Sequence, residues 1–126
     1  MRAVDTNVLV RLITRDDTRQ AAAAEQWAEG GVWVSTVALA EATWVLSAVY
    51  KRSSREIAVA VELLLNHKDL TLQDAEAVSE ALKRFQERPA VGFSDCLLLE
   101  VARKAGHLPL GTFDRDLSKL EGTQKL

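Results

Sequence analysis

Apolar positions recur along this chain in two rhythms. Short runs at residues 1–4, 32–34 and 108–111 carry three or four mostly apolar residues, each too short to be a helix and read as a strand. Leu70-Thr71-Leu72 is either a minor strand or an extended link. Between them lie longer stretches with apolar residues every three or four positions, which predict amphipathic helices. The first is a short turn capped by Asn7 and carrying Val8, Leu9, Leu12 and Ile13. Further helices are predicted over 19–29, 37–50, 53–66, 74–87 and 95–105, with a short last one after Thr112.

The boundaries carry their own chemistry. Asp16-Asp17-Thr18 precedes the second helix and Gly30-Gly31 follows it, the usual start and stop signals. Ser53 with Glu56 three residues later forms a capping box, and Pro89 prevents the helix before it from continuing. The stretch 95–105 is apolar nearly all round (Cys96, Leu97, Leu98, Leu99, Val101, Ala102), which predicts a central, buried helix. Residues 121–126 form a polar tail that either frays or adds an edge strand. Strands alternating with helices predict an α/β fold with a mostly parallel sheet and helices on both faces.

Charge enters where the apolar runs end. Asp5 follows the first predicted strand and Asp114 the last, so a parallel sheet would place both at its carboxyl edge, where open α/β sheets bind ligands. Asp95 opens a helix, where the dipole favours a negative charge. Glu41 lies within two turns of the start of its helix between Ala40 and Ala42, and a charge among small apolar neighbours needs a partner or a cation. Four separate segments thus offer oxygen ligands to one crevice. Such ligands suit Mg²⁺, and paired divalent ions about 3.5–4 Å apart assist phosphodiester cleavage by activating water and steadying the leaving oxygen. Each acid also has a plainer use: Asp5 and Asp95 as helix caps, Asp114 as a turn residue, Glu41 as a salt-bridged helix charge.

At 126 residues the chain suits a single domain. No apolar run approaches the roughly twenty residues needed to cross a bilayer, and the N-terminus lacks the layout of a signal peptide, which predicts a cytoplasmic protein. The one cysteine, Cys96, excludes an intrachain disulfide and reads as a buried structural thiol. His67 and His107 are isolated, so no zinc cluster competes with the acids. The formal net charge of −2 argues weakly against a nucleic-acid partner, yet becomes +2 once four acids are neutralised in a metal site. Basic residues cluster as Arg11/Arg15/Arg19, Lys51/Arg52/Arg55 and Lys83/Arg84/Arg88, which ordinary solvated helix faces also explain.

Val4-Asp5-Thr6-Asn7-Val8-Leu9-Val10-Arg11, Ala40-Glu41, Phe93-Ser94-Asp95 and Thr112-Phe113-Asp114-Arg115-Asp116-Leu117 together resemble the motifs of the PIN-domain ribonucleases, most closely the VapC toxins of toxin–antitoxin pairs. The resemblance covers residues 1–126 as one PIN domain and is specific in the combination of motifs rather than in any one. It implies a three-layer fold with a central sheet of four to five short strands. It also implies a Mg²⁺- or Mn²⁺-dependent endoribonuclease acting on structured RNA such as tRNA or ribosomal RNA. Asp5, Glu41, Asp95 and Asp114 match the acidic quartet, with Asp5 and Asp95 as direct metal ligands. Thr6 or Asn7, Ser94 and Thr112 match polar supporting positions, and Asp116 leaves the choice of fourth acid open. Partners implied are a VapB-like antitoxin and a second copy of the chain.

Three rivals bear on this reading. A receiver domain would need an Asp after its middle strand and a Lys after the last, where this chain has Ser35 and Thr112. A haloacid-dehalogenase-type phosphatase would need an Asp at position 7, which is Asn. A catalytically inactive PIN-like module binding RNA or protein has no use for four acids held together.

Overall fold

The computed structural model describes residues 1–126, as six α-helices and five short strands in which every strand pairing is parallel. This is the parallel α/β arrangement that the alternation of short apolar runs and helical periods predicts, and it is consistent with a three-layer fold. The five strands, however, are divided between a three-stranded and a two-stranded sheet rather than joined in one, so Asp5 and Asp114 follow strands of different sheets. The chain forms two compact units, Met1–Ala75 and Glu76–Leu126.

Met1–Ala75 is built on a three-stranded sheet in the order β1 (Arg2–Ala3), β2 (Val32–Val34), β3 (Leu70–Leu72). Its register pairs Ala3 with Trp33 and Trp33 with Thr71, so these three form an exposed row while Val32, Val34, Leu70 and Leu72 are buried. Between β1 and β2 run α1 (Thr6–Thr14) and α2 (Thr18–Ala28); between β2 and β3 run α3 (Thr36–Ala48) and α4 (Ser54–Leu65). Helix α1 packs on α2 and α3, and α4 packs on β3 and α3. Leu9, Val10, Leu39, Ala42, Leu46 and Val61 fill the interior.

The ends of these helices follow the local chemistry. Asp17 and Ser35 cap α2 and α3, and the box at Ser53 and Glu56 closes in both directions. Asp5, not Asn7, caps α1, because its carboxylate reaches the Val8 amide one turn ahead. The exit of α1 is fixed by a polar cluster. The Arg11 guanidinium donates to Tyr50 at 2.9 Å and to Asp16 at 3.2 Å, and Tyr50 and Thr14 each donate to Asp16 at 2.8 Å.

Glu76–Leu126 contains α5 (Ala75–Glu87, which begins one residue earlier), a 3-10 turn at Pro89–Val91 and α6 (Phe93–Ala105). A two-stranded sheet of β4 (Leu110–Thr112) and β5 (Thr123–Lys125) follows, linked through a 3-10 turn at Leu117–Lys119. The polar tail therefore does form an edge strand. Phe85 and Phe93 meet edge to face at 6.0 Å, over an interior of Val78, Ala81, Cys96, Leu97 and Leu99. Helix α6 is less uniformly buried than its apolar run suggests: Leu98 is exposed, whereas Glu100 is only 4% exposed.

Candidate active site

In Met1–Ala75, Asp5 lies two residues beyond β1, at the carboxyl end of the sheet. One of its oxygens accepts a hydrogen bond from the Val8 amide at 3.1 Å, while the residue stays exposed. Capping and ligation are therefore compatible, since a carboxylate has two oxygens and about four lone-pair sites. Thr6 and Asn7 sit in the first turn of α1, just past that cap.

Glu41 occupies the second turn of α3. The expectation that apolar neighbours enclose it is corrected: Glu41 is exposed. Leu39 and Ala42 face inward, whereas Val37, Glu41 and Trp44, spaced i, i+4 and i+7, share the solvent side of the helix. The start of α3 is set by Ser35 Oγ, which accepts from the Ala38 amide at 3.0 Å. Gln73 Oε1 accepts from both the Thr36 amide (3.0 Å) and the Thr36 hydroxyl (3.3 Å). Nothing in the sequence singles out Gln73 beyond its place directly after a strand.

In Glu76–Leu126, α6 begins at Phe93, two residues before the predicted start, because Gly92 at φ 87° can make the left-handed turn that precedes it. Ser94 and Asp95 consequently lie inside the first turn. Asp95 is half-buried, and no lysine or arginine neutralises it. Its pKa is raised, first by burial and then by the negative charge of Asp114.

Asp114 lies two residues past β4 and is exposed. Its amide donates to Thr112 Oγ1 at 2.9 Å and its Oδ1 accepts from the Leu117 amide at 2.7 Å, so Thr112 and the following turn fix it from both sides. Asp116 pairs with Lys119 at 3.9 Å. Of the two acids, Asp114 is the one whose charge acts on Asp95.

The negative charge of Asp114 thus bears on Asp95. The structure gathers no group of three or more Asp, Glu, His or Cys side chains placed to hold an ion, and like-charged carboxylates with no cation among them repel. The donors themselves fit a hard divalent cation, being carboxylate oxygens throughout. Softer ligands are out of play. Cys96 is fully buried and its thiol is pushed up to about 12 by burial, with the charges of Asp95 and Glu100 adding to the shift. His67 and His107 are exposed, and His67 Nδ1 is occupied by the Asp69 amide at 3.0 Å.

One pair escaped the reading of the sequence. Buried Glu100 bonds Arg103 Nε at 3.2 Å, and Arg103 Nη2 donates to the Glu121 carbonyl at 2.8 Å. The i,i+3 spacing of opposite charges was a usable signal, but the apolar run around it masked the burial of the acid.

Comparison with known proteins adds one match: a family model described as PIN domain aligns with residues 2–122. No curated protein and no solved structure matches the chain.

Proposed function

The chain belongs to the PIN domain family, and from that premise we propose that it is a Mg²⁺- or Mn²⁺-dependent endoribonuclease, with residues 1–126 acting as one domain. The observation that carries the proposal is Asp95: half-buried at a helix start, without a cationic partner, and repelled by Asp114. A carboxylate kept in that position costs stability unless a cation shares it, and pairs of titratable groups under such stress concentrate at functional sites.

In this reading Asp5 and Asp95 are the direct metal ligands, and Glu41 and Asp114 complete the acidic set. The exposure of Glu41 leaves its carboxylate free to reach an ion or a bridging water. Thr112 holds Asp114 through its amide, and the Leu117 amide occupies one of its oxygens, leaving the other for an ion. Thr6, Asn7 and Ser94, all in first turns, present polar groups beside Asp5 and Asp95. A bound divalent ion supplies the positive charge that phosphodiester hydrolysis requires. The helix termini beneath Asp5 and Asp95 favour the negative charge of both the ligands and an approaching phosphate.

The biological role we propose is that of a VapC-type toxin held in check by a VapB-like antitoxin, cytoplasmic and homodimeric. Two surfaces support it. A groove of about 800 Å³ in Met1–Ala75 is floored by Leu12, Ile13, Val59 and Leu63 and edged by Arg55 and the ion pairs Arg15–Glu25 and Arg52–Glu56, which suits the apolar face of an amphipathic segment. Val37 and Trp44 of α3, with Val49 just beyond it, are large exposed apolar residues available to a second copy.

Purified protein is expected to cut structured RNA with Mg²⁺ or Mn²⁺, and EDTA to abolish the cleavage. Asp5→Asn cutting as fast as the parent would remove Asp5 from the site. Expression alone is expected to arrest growth, and a small co-encoded antitoxin to relieve it. Unimpaired growth with soluble, dimeric protein would overturn the toxin role while leaving the nuclease chemistry standing.

A further inference from the structure

We propose that Arg103 is a positioning residue that sets where Asp114 stands relative to Asp95, acting through a bridge from buried Glu100 to the main chain at Glu121 and Gly122. The inference rests on the nuclease reading above and goes beyond its acidic residues.

Helix α6 carries Asp95 in its first turn and Arg103 in its last. The segment from Phe113 to Gly122 carries Asp114 at its start and runs into β5. Its near end is self-organised by the bonds of Asp114 to Thr112 and Leu117, and by the Ser118 amide donating to the Asp114 carbonyl at 3.1 Å. Its far end is tied to α6 through Arg103, whose Nη2 donates to the Glu121 carbonyl at 2.8 Å. The same guanidinium is held from behind by Glu100 Oε2 on Nε at 3.2 Å.

Two edges of one planar fork are thus used in different directions, a geometry that a lysine ammonium cannot copy. Glu100, only 4% exposed, makes the attachment costly to break, because losing its partner would strand a buried charge.

Gly122 completes the arrangement. A Cβ there would meet Arg103 Nη2 at 3.0 Å and Nη1 at 3.4 Å, and the residue has φ +98°. The bare backbone lets the guanidinium lie directly against the chain just before β5. The Gly122 carbonyl in turn accepts from the Leu110 amide at 2.8 Å, joining the bridge to β4.

The consequence follows from where the bridge is anchored: one end on the helix that carries Asp95, the other on the segment that Asp114 begins. Asp95 and Asp114 stand at the near ends of the two segments that Arg103 ties together, the first turn of α6 and the chain leaving β4. The Glu100–Arg103–Glu121 bridge limits how far that segment moves from α6 and so keeps the two carboxylates ready for a cation. Residues that orient ligands in this way typically change metal affinity by about 10–100-fold when removed.

The test uses the full chain and the variants Arg103→Ala, Arg103→Lys and Gly122→Ala. Arg103→Lys keeps the buried charge paired while losing the two-way reach, so it stays folded if Arg103→Ala does not. Hydrogen exchange in metal-free protein reads the bridge directly, because the Leu117 amide is bonded to Asp114. All three variants are expected to exchange faster at Leu117, with the Val8 amide on Asp5 unchanged. Mn²⁺ alone, titrated by calorimetry, should bind about tenfold more weakly to Arg103→Ala, and most of the RNA cleavage rate should return at saturating Mn²⁺. A lower melting temperature with parental Mn²⁺ affinity and parental Leu117 exchange would reduce Arg103 to a strut and overturn the proposal. Parent protein that neither binds Mn²⁺ nor cuts RNA would instead overturn the nuclease reading, and Leu117 exchange would still decide whether the bridge holds Asp114.

Discussion

At Asp95, burial and the charge of Asp114 act in the same direction, and both raise the carboxyl pKa above its unfolded value of about 3.9. Below that value the group is protonated in both states and costs nothing. As pH rises through the unfolded value and on through the folded one, the native state must hold a charge it disfavours, so stability falls. Asp95→Asn removes that charge. In metal-free protein at pH 7 the variant should melt above the parent, and the difference should shrink as pH approaches 4. The same variant should lose at least about a hundredfold in Mn²⁺-dependent cleavage. A thermal scan in EDTA showing Asp95→Asn less stable than the parent at pH 7 would mean the carboxylate is satisfied by something other than a cation. Residue identity alone pointed to Asp95, because an acid directly after Phe-Ser at a helix start is visible in the sequence. Its half-burial and its neighbour were not visible, since both depend on α6 beginning at Phe93 and on where the chain returns after β4. For Glu41 the sequence misled: alanines on either side imitate a buried setting, but helical spacing sends Glu41 outward with Val37 and Trp44.

Helix α1 shows how one side chain serves two levels of structure. Asp5 caps it through the Val8 amide and stands at the candidate site with the oxygen that remains. Asn is as good a cap as Asp, whereas Ala caps nothing and costs roughly 1 kcal/mol. Asp5→Asn should therefore unfold with the parent and lose cleavage, and Asp5→Ala should lose cleavage and about 1 kcal/mol of stability by urea titration. Equal stability of the two variants would show that the cap contributes nothing. At its other end α1 is held by Asp16, whose carboxyl sits below the usual range because Thr14 and then Tyr50 donate to it, with Arg11 adding its charge. A depressed acid stabilises the fold above its unfolded pKa, and that contribution is lost as pH falls through the folded value. Tyr50→Phe should accordingly flatten the loss of melting temperature below pH 4. A variant with the parent's acid limb would place that sensitivity elsewhere. Helix and strand positions were mostly legible in the sequence, because caps, glycines and Pro89 act locally. Less legible was which of Asp5 and Asn7 caps α1, since both are good caps two residues apart and only the backbone decides between them.

At the scale of the whole chain, the order of the four acids was the legible quantity and the distances between them were not. Asp5, Glu41, Asp95 and Asp114 each lie near the end of a strand or the start of a helix, so the pattern of elements located them. Placing carboxylates a few ångströms apart depends on packing between distant segments, which neither hydrophobic period nor capping pattern encodes. An ion bound to the native state and not to the unfolded chain stabilises it by mass action, by about 2.7 kcal/mol at one hundred times the dissociation constant. Mn²⁺ should therefore raise the melting temperature of the parent by several degrees in proportion to log concentration, and EDTA should reverse the gain. Asp95→Asn, already relieved of its repelled charge, should start higher in EDTA and gain much less from Mn²⁺. The two melting curves should thus draw together, or cross, as the ion is added. Parallel gains in parent and variant would show that the ion binds away from Asp95, whatever RNA cleavage the protein performs.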